Sequence, residues 1–347
     1  MNLKTLASAL LLTTLSATAL ADEALINRED VQQYINKTAI ENGFTPEEIA
    51  GWLLDAQAKP NIIGILDKPS TSRPWHEFEA NFVNKTRINN GATFWRENAI
   101  LIGDISRKYQ VAPEVLLAIL GAETNYGRYT GTFRIVDALS TIAFNYPRRA
   151  EYFQGELTQL FLLAREEKQD PMSFKGSYAG AMGWPQFMPS SFRKWAQDWD
   201  KDGKHDIWTN PGDAMASVAN YLNQHGWQDG GDTYTVVNFN GSAKSLLDDK
   251  FNLHYTVNEL IAKGVAPISE INPRQKAVLF ALETEPDFTQ YFLGFNNFYV
   301  ITRYNKSTLY ATAVLKLAEE IKNAYVKNNE LVQAEPEPAK NSSKKLR

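Results

Sequence analysis

Four prolines in the middle of the chain constrain its fold more than any other feature. Each begins a segment with helical spacing: Pro113, Pro147, Pro189 and Pro211. Proline suits the first helical position because the backbone N–H there has no partner within the helix, and because its ring presets φ. Residues 92–228 are therefore predicted to be strongly helical. The predicted helices cover residues 94–108, 113–126, 135–144, 147–167, 189–198 and 211–225.

The flanking segments differ from this helical region. Residues 22–60 predict a helical hairpin, with a capping box from Thr45 to Glu48. Further along, β-branched and aromatic residues between turn formers predict a small sheet. Its predicted strands are 232–240, 252–256, 277–284 and 298–303. A last helix, 307–326, is expected to precede a disordered tail, 327–347, with prolines and a basic end. The predicted class is mainly α, or α+β.

The first 21 residues predict a removable signal peptide. Lys4 is followed by an apolar run too short to span a bilayer and by the cleavage signature Ala19-Leu20-Ala21. The chain has no cysteine, which excludes disulfides, thiolate zinc sites, a Cys nucleophile and a lipid on an N-terminal Cys. The net charge of −4 gives no overall attraction to nucleic acid. We therefore expect a periplasmic protein without a membrane span or lipid anchor, and without nucleic-acid partners.

Glu123 is the candidate catalytic residue. It lies on the same face of its predicted helix as Leu116, Ile119 and Leu120. Burial raises the pKa of a carboxyl group, as a general acid in glycoside cleavage requires. The alternative is a structural ion pair with an arginine, for which Arg128 and Arg134 are candidates. The helix breaks just after Glu123, which favours a position near a cleft.

Two further segments favour ligand binding. Arg148 and Arg149 occupy the first turn of a predicted helix, where cations oppose the helix dipole. They are expected to bind an anionic or polyhydroxylated ligand, unless one pairs with Glu151 or Glu156 and the other is solvated. The glycine-rich stretch 176–191 combines small residues with Tyr, Trp and Phe, which suits close approach to sugar rings. A purely structural turn is the alternative.

An acidic loop predicts a calcium site. Its aspartates stand at positions 1, 3, 5 and 9 of an EF-hand-like pattern, but Thr209 replaces the usual Glu at position 12. The candidate ligands are Asp198, Asp200, Asp202, Asp206 and Asp213. A structural Ca²⁺ is expected if Asp213 closes a lengthened loop; the alternative is a solvated loop without metal. The four histidines are scattered, which argues against a catalytic metal site.

Taken together, these segments resemble the lytic murein transglycosylase B family. The similarity runs from about Trp75 to Leu317. The matching motifs are Gly121–Arg128, Ser140–Tyr152, Gly176–Ser191, Asp198–Trp227, Gly294–Phe298 and Thr302–Asn305. The resemblance implies a lysozyme-like helical core, 76–229, that includes the loop 198–213. It also implies a helical subdomain, 22–75, joined by the C-terminal helix, and a small β-rich subdomain, 230–306.

The resemblance further implies cleavage of the MurNAc-β-1,4-GlcNAc bond of peptidoglycan without water, for cell-wall turnover or remodelling. Glu123 would serve first as acid and then as base, and the MurNAc 6-hydroxyl would close a 1,6-anhydro ring. Glycan contacts are implied for Arg148, Arg149, Tyr152, Ser177, Gln186, Tyr221, Tyr304, Asn305 and Tyr310. Other cell-wall enzymes are expected partners. Phe78 stands where an aromatic hydroxyl occurs in relatives.

The sequence leaves three alternative functions open. A lysozyme-type hydrolase would use the same Glu123 with water. A non-catalytic peptidoglycan-binding module would keep the cleft alone, although the retained carboxyl group argues against it. A calcium-sensing protein would need a paired second loop, which the sequence lacks.

Overall fold

A computed structural model describes residues 25–67, 73–242, 244–248 and 251–334. These residues form two compact units, which meet in the chain between Asp55 and Ala56. The predicted signal peptide, 1–21, and the end of the predicted tail, 335–347, lie outside the described residues. Among the described helices, none is both long and apolar enough to cross a membrane.

The first unit is a pair of helices, α1 (Glu29–Asn42) and α2 (Pro46–Leu54). Gly43 ends α1 in the left-handed conformation, with φ of 67°. The predicted capping box forms at the start of α2: the Glu48 N–H donates to Thr45 Oγ1 at 3.2 Å. The Thr45 N–H in turn donates to Glu48 Oε2 at 2.7 Å.

The second unit is mainly helical up to residue 224. Its helices before the sheet are α3 (Asn61–Leu66), α4 (Trp75–Phe82), α5 (Lys85–Glu97), α6 (Ala99–Tyr109), α7 (Pro113–Thr124), α8 (Ile135–Asn145), α9 (Ala150–Glu166), α10 (Pro189–Trp195) and α11 (Pro211–Gln224). A two-stranded ribbon pairs β1 (Phe133–Arg134) with β2 (Lys175–Gly176). Three of the four prolines begin an α-helix as predicted, and Pro147 begins a 3₁₀ turn, Pro147–Arg149, that leads into α9.

The chain then enters an antiparallel sheet. Its elements are β3 (Tyr234–Phe239), α12 (Lys244–Leu247), β4 (Tyr255–Thr256), α13 (Val257–Ala262), β5 (Val265–Pro267), β6 (Lys276–Glu285) and β7 (Phe288–Gly294). The strand order is β4-β6-β7-β3-β5. Two helices follow, α14 (Asn296–Tyr304) and α15 (Thr308–Ala334). The predicted class, mainly α with a small antiparallel sheet, is confirmed.

Two sequence predictions were wrong near the end of the chain. Residues 298–303, predicted as a strand, lie in α14. Their β-branched residues fit a helix because Phe298, Ile301 and Thr302 share its buried side. Helix α15 continues to Ala334, through residues 327–334 that were predicted to be disordered. This segment has neither glycine nor proline to end the helix.

The first compact unit is also shorter than the predicted helical subdomain, 22–75. The connection after Asp55 belongs to the second unit because α8 holds its backbone. The Gln57 N–H donates to Asp137 and the Lys59 N–H donates to Thr141, each at 2.9 Å. Helix α15, which was assigned to the N-terminal subdomain, packs on α4, α5 and α7.

Candidate active site

Helix α7 carries Glu123 in its last turn. The predicted apolar stripe is confirmed, since Leu116, Ile119 and Leu120 are fully buried. The helix ends because Asn125, Tyr126 and Gly127 all adopt positive φ, at 50°, 60° and 79°. This reversal leaves Glu123 partly exposed at a cavity, while residues 115–121 of α7 are buried in the core.

Close packing fixes the turn after Glu123. A Cβ atom on Gly127 would lie 2.1 Å from the Trp184 ring, so only glycine fits there. The Tyr126 hydroxyl donates to the Arg87 carbonyl oxygen at 3.0 Å, which anchors the turn to α5. The Gly127 N–H donates to Thr124 Oγ1 at 3.0 Å. The carboxyl group is therefore attached to a rigid backbone.

Among the described residues, the Glu123 carboxyl group has one hydrogen-bond donor, on a helix distant in sequence. Tyr310 Oη, on α15, donates to Glu123 Oε1 at 2.5 Å. Burial raises the pKa of Glu123 to about 7, although the Tyr310 hydrogen bond acts in the opposite direction. Burial and the nearby carboxylate raise the pKa of Tyr310 well above its usual value, so its hydroxyl keeps its proton.

The alternative ion pair for Glu123 does not form among the described residues. Arg134 instead donates to both carboxylate oxygens of Asp137, at 3.0 and 2.8 Å. Arg128 is exposed to solvent. A pKa of about 7 leaves Glu123 able to give up and regain a proton near neutral pH.

A cavity of about 230 Å³ opens at Glu123. Its wall combines α5 residues with the end of α7. The lining residues are Asn84, Thr86, Arg87, Ala122, Glu123, Thr124, Asn125 and Tyr129. Glu123 is the sole carboxylate in this lining. Sequence reasoning singled out none of the three α5-side residues and not Tyr129, because no local pattern marks residues that meet only in the fold.

Two of the tyrosines expected to contact substrate form an aromatic cluster with Phe187. The rings of Tyr221 and Tyr304 lie 4.9 Å apart, and Phe187 lies 5.8 and 6.0 Å from them. Both hydroxyls donate to backbone carbonyls, Tyr221 to Arg303 at 2.6 Å and Tyr304 to Pro185 at 2.5 Å. Burial, with a further contribution from the Glu123 charge, raises the pKa of Tyr304. The cluster thus lies near the acid.

The glycine-rich stretch forms a tight turn in which Ser177 and Gln186 hold the backbone. Ser177 Oγ accepts from the N–H groups of Ala179 and Ala181, at 3.3 and 3.1 Å. Gln186 Nε2 donates to the carbonyls of Thr130 and Gly183, at 3.2 and 2.8 Å. Among the described residues, neither the Ser177 hydroxyl proton nor Gln186 Oε1 has a hydrogen-bond partner.

The predicted arginine site lies apart from the cavity at Glu123. Arg148 pairs with Asp67 rather than with Glu151 or Glu156, and the Arg149 guanidinium lies over the Tyr152 ring, 4.7 Å from its centroid. Tyr152 lines a separate groove of about 640 Å³ between α9 and α10. Burial and Glu156 raise the pKa of Tyr152 to about 12. Asn305 is exposed just after α14.

The acidic loop brings three of its five predicted ligands together. The carboxylate oxygens of Asp198, Asp200 and Asp202 lie within 4.8 Å of one another. Asp206 Oδ1 accepts from the N–H groups of Trp208 and Thr209, at 3.0 and 2.9 Å. Such hard oxygen donors suit Ca²⁺.

Asp213 holds the two ends of this loop together. It is fully buried, and its carboxylate accepts from the N–H groups of Trp199 and Asp206, each at 2.8 Å. Desolvation is the main cause that raises its pKa, and the nearby Asp200 and Asp198 add to it. Asp213 therefore closes the loop through its backbone contacts.

Trp184 joins the acidic loop to α7, the helix that carries Glu123. Its backbone N–H donates to the Ile207 carbonyl oxygen and its Nε1–H donates to the Trp208 carbonyl oxygen, both at 2.9 Å. Its carbonyl oxygen accepts from Thr124 Oγ1 at 3.3 Å. One residue thus connects the loop to the turn that follows Glu123.

Known proteins resemble this chain over most of its length. The "Membrane-bound lytic murein transglycosylase B" of Escherichia coli strain K12 is 39% identical over 310 residues, which cover 86% of this chain and 84% of the relative. The crystal structure of catenated lytic transglycosylase SltB1 from Pseudomonas aeruginosa superposes with a TM-score of 0.81 and 39% identity, covering 86% of this chain and 99% of that one.

Two further structures hold bound ligands. The Escherichia coli lytic transglycosylase Slt35 in complex with calcium has a TM-score of 0.77 and 39% identity, covering 86% of this chain and 95% of that one. SltB3 from Pseudomonas aeruginosa, in complex with NAG-anhNAM-pentapeptide, has a TM-score of 0.71 and 28% identity, covering 85% of this chain and 79% of that one. The family model of the transglycosylase SLT domain matches residues 27–319. The chain therefore belongs to this transglycosylase family.

Proposed function

We propose that this protein is a lytic transglycosylase that cleaves peptidoglycan glycan strands, with Glu123 as its acid and base. The observation that carries the proposal is the state of this carboxyl group. It has a pKa of about 7, one neutral hydroxyl donor and a cavity in which it is the sole carboxylate among the lining residues. Glycosidases that hydrolyse their substrate ordinarily use two carboxylates, so a single one favours a substrate that brings its own nucleophile.

In the proposed reaction, protonated Glu123 donates its proton to the oxygen of the MurNAc-β-1,4-GlcNAc bond. That C–O bond breaks, and the MurNAc 6-hydroxyl oxygen attacks C1. The carboxylate then takes the hydroxyl proton, which restores the acid and leaves a 1,6-anhydro-MurNAc end. A pKa near neutrality suits both steps because the group must give and accept one proton in each cycle.

The expected glycan contacts extend this proposal. Ser177 and Gln186 each keep one hydrogen-bonding group available beside the turn that they stabilise. Arg148, Arg149 and Tyr152 would bind a part of the substrate farther from the acid. Tyr152, over which the Arg149 guanidinium lies, lines a groove separate from the cavity at Glu123. Tyr310 would act mainly through its hydrogen bond to Glu123. Between these two regions, the glycan strand would contact Tyr221, Tyr304 and Asn305.

We further propose that the acidic loop binds a structural Ca²⁺. The clustered oxygens of Asp198, Asp200 and Asp202 support this assignment, as does the calcium complex of the related Slt35. Asp206 and Asp213 would shape the loop, because their carboxylates accept hydrogen bonds from its backbone N–H groups. The ion would neutralise the carboxylates and hold the loop on which Trp184 rests.

The proposed setting is the periplasm, reached through cleavage of the signal peptide, 1–21. A soluble enzyme without a lipid would differ from its Escherichia coli relative, which is described as membrane-bound. The absence of cysteine supports this difference. Contacts with other cell-wall enzymes remain part of the proposal.

Digestion of purified peptidoglycan tests the reaction. Mass spectrometry should show muropeptides lighter by one water than hydrolytic products, and Glu123→Gln should abolish their release. Glu114→Gln is a matched control because it alters a Glu at the other end of the same helix, where Glu114 pairs with Lys322. Reducing MurNAc ends would instead identify a lysozyme-type hydrolase. Wall binding without any product would identify a binding module.

A further inference from the structure

An exposed aromatic ring stands in the wall of the cavity that contains Glu123. The side chain of Tyr129 is 73% exposed. No other ring among the described residues packs against it. A single exposed aromatic residue is unremarkable on a protein surface, but this one shares a cavity with the acid. Its free face is thus available to a ligand bound there.

A backbone hydrogen bond fixes the main chain of Tyr129 relative to the helix that carries Glu123. The Tyr129 N–H donates to the Thr124 carbonyl oxygen at 3.0 Å. The intervening residues include the left-handed turn that Gly127 and the Trp184 ring fix in place. Because the backbone is already ordered, binding against Tyr129 restricts mainly the side chain.

Hydrogen-bonding groups lie beside the ring. Asn125 Oδ1 accepts from Asn90 Nδ2 at 3.2 Å, and this contact leaves the Asn125 amide N–H₂ without a partner among the described residues. The Thr86 side chain is exposed in the same lining. The wall therefore offers an apolar face next to an amide donor and a hydroxyl.

We infer that Tyr129 stacks against an N-acetylhexosamine ring of the glycan strand, at the sugar unit next to the bond that Glu123 cleaves. The C–H face of a pyranose is apolar, while its hydroxyl and acetamido oxygens lie at its edge. The ring face of Tyr129 packs on the apolar C–H face of the sugar, and the Asn125 amide donates to an oxygen at its edge. This inference rests on the proposed function and adds a substrate-positioning residue to it.

Binding to an inactive background tests the inference. In Glu123→Gln protein, the affinity for a purified, uncross-linked peptidoglycan tetrasaccharide is measured by calorimetry. Tyr129→Ala should weaken binding about two- to tenfold, the usual worth of one aromatic contact. Tyr129→Phe should recover most of this loss because it keeps the ring. In the active enzyme, Tyr129→Ala should raise KM and leave kcat nearly constant.

The control is Phe288→Ala, which removes another half-exposed aromatic side chain at the start of β7. Its affinity should equal that of the parent. The inference is overturned if Tyr129→Ala binds as tightly as the parent while its melting temperature is unchanged, or if Tyr129→Phe binds as weakly as Tyr129→Ala. Failure of the proposed function is read separately, from the absence of anhydro products with wild-type enzyme.

Discussion

Replacing Tyr310 with Phe should move the pH dependence of catalysis. The hydroxyl donates to Glu123 Oε1 at 2.5 Å, which stabilises the charged carboxylate. A hydrogen bond to a charged group contributes about 1.5–3 kcal/mol, and one pKa unit corresponds to about 1.36 kcal/mol. Loss of this bond should therefore raise the pKa of Glu123 from about 7 by roughly 1–2 units.

The sign of the effect follows from the role of Glu123 as an acid. The first step needs the protonated form, so kcat/KM falls as pH rises through the pKa of this group. In Tyr310→Phe protein the fall should occur about 1–2 pH units higher than in wild type. The rate on the acidic side should decrease, because a weaker acid donates its proton less readily.

The assay is the initial rate of muropeptide release between pH 5 and 10, at substrate concentrations below KM. Tyr304→Phe is the matched control. The Tyr304 hydroxyl donates to the Pro185 carbonyl oxygen and not to Glu123, so kcat/KM in this variant should fall at the same pH as in wild type. A fall in kcat/KM that stays at the wild-type pH, or that moves to lower pH, in Tyr310→Phe would contradict this prediction. A variant that was merely destabilised would lose activity without shifting the pH of this fall.

Three further predictions concern stability. Gly127→Ala should lower the free energy of unfolding, measured by urea titration, by about 3 kcal/mol, because the residue has positive φ and its new Cβ would clash with Trp184. Gly226→Ala is the control: the residue also has positive φ but no atom lies within 4 Å of the new Cβ, so the loss should be about 1 kcal/mol. Asp137→Ala should cost about 3 kcal/mol because it breaks a buried ion pair, and the exposed Asp104→Ala less than about 0.5 kcal/mol. Calcium should raise the melting temperature and a chelator should lower it; an unchanged melting temperature across a chelator titration would exclude the metal site.

Local sequence rules predicted the helix that carries Glu123 well. Pro113 and the stripe from Leu116 to Leu120 identify the start and buried face of α7, and these features act within a few turns of one helix. They also place Glu123 at the edge of the core. The left-handed turn after it was expected from the helix break, although its three successive positive φ angles were not.

Features that depend on contacts between distant segments were harder to predict. The glycan contact expected of Tyr310 stays a prediction, whereas its hydrogen bond to Glu123 was not predicted, because it exists only where α15 packs on α7. The segment 298–303 looked like a strand from composition alone, and its packing as a helix overrides that preference. The role of Tyr129 was missed for the same reason, since its exposure depends on the turn that precedes it.

The wide separation of Glu123 and Tyr310 has a consequence for how the enzyme is made. The two residues are 187 positions apart, so a ribosome that adds about 5–20 residues per second needs about 10–40 s to pass from one to the other. During this interval the nascent chain contains the acid but not its donor. Proteolysis before α15 would likewise keep Glu123 in the chain and remove its donor, together with the helix that packs on α7. Completion of the chain is thus required before the acid acquires its final proton affinity.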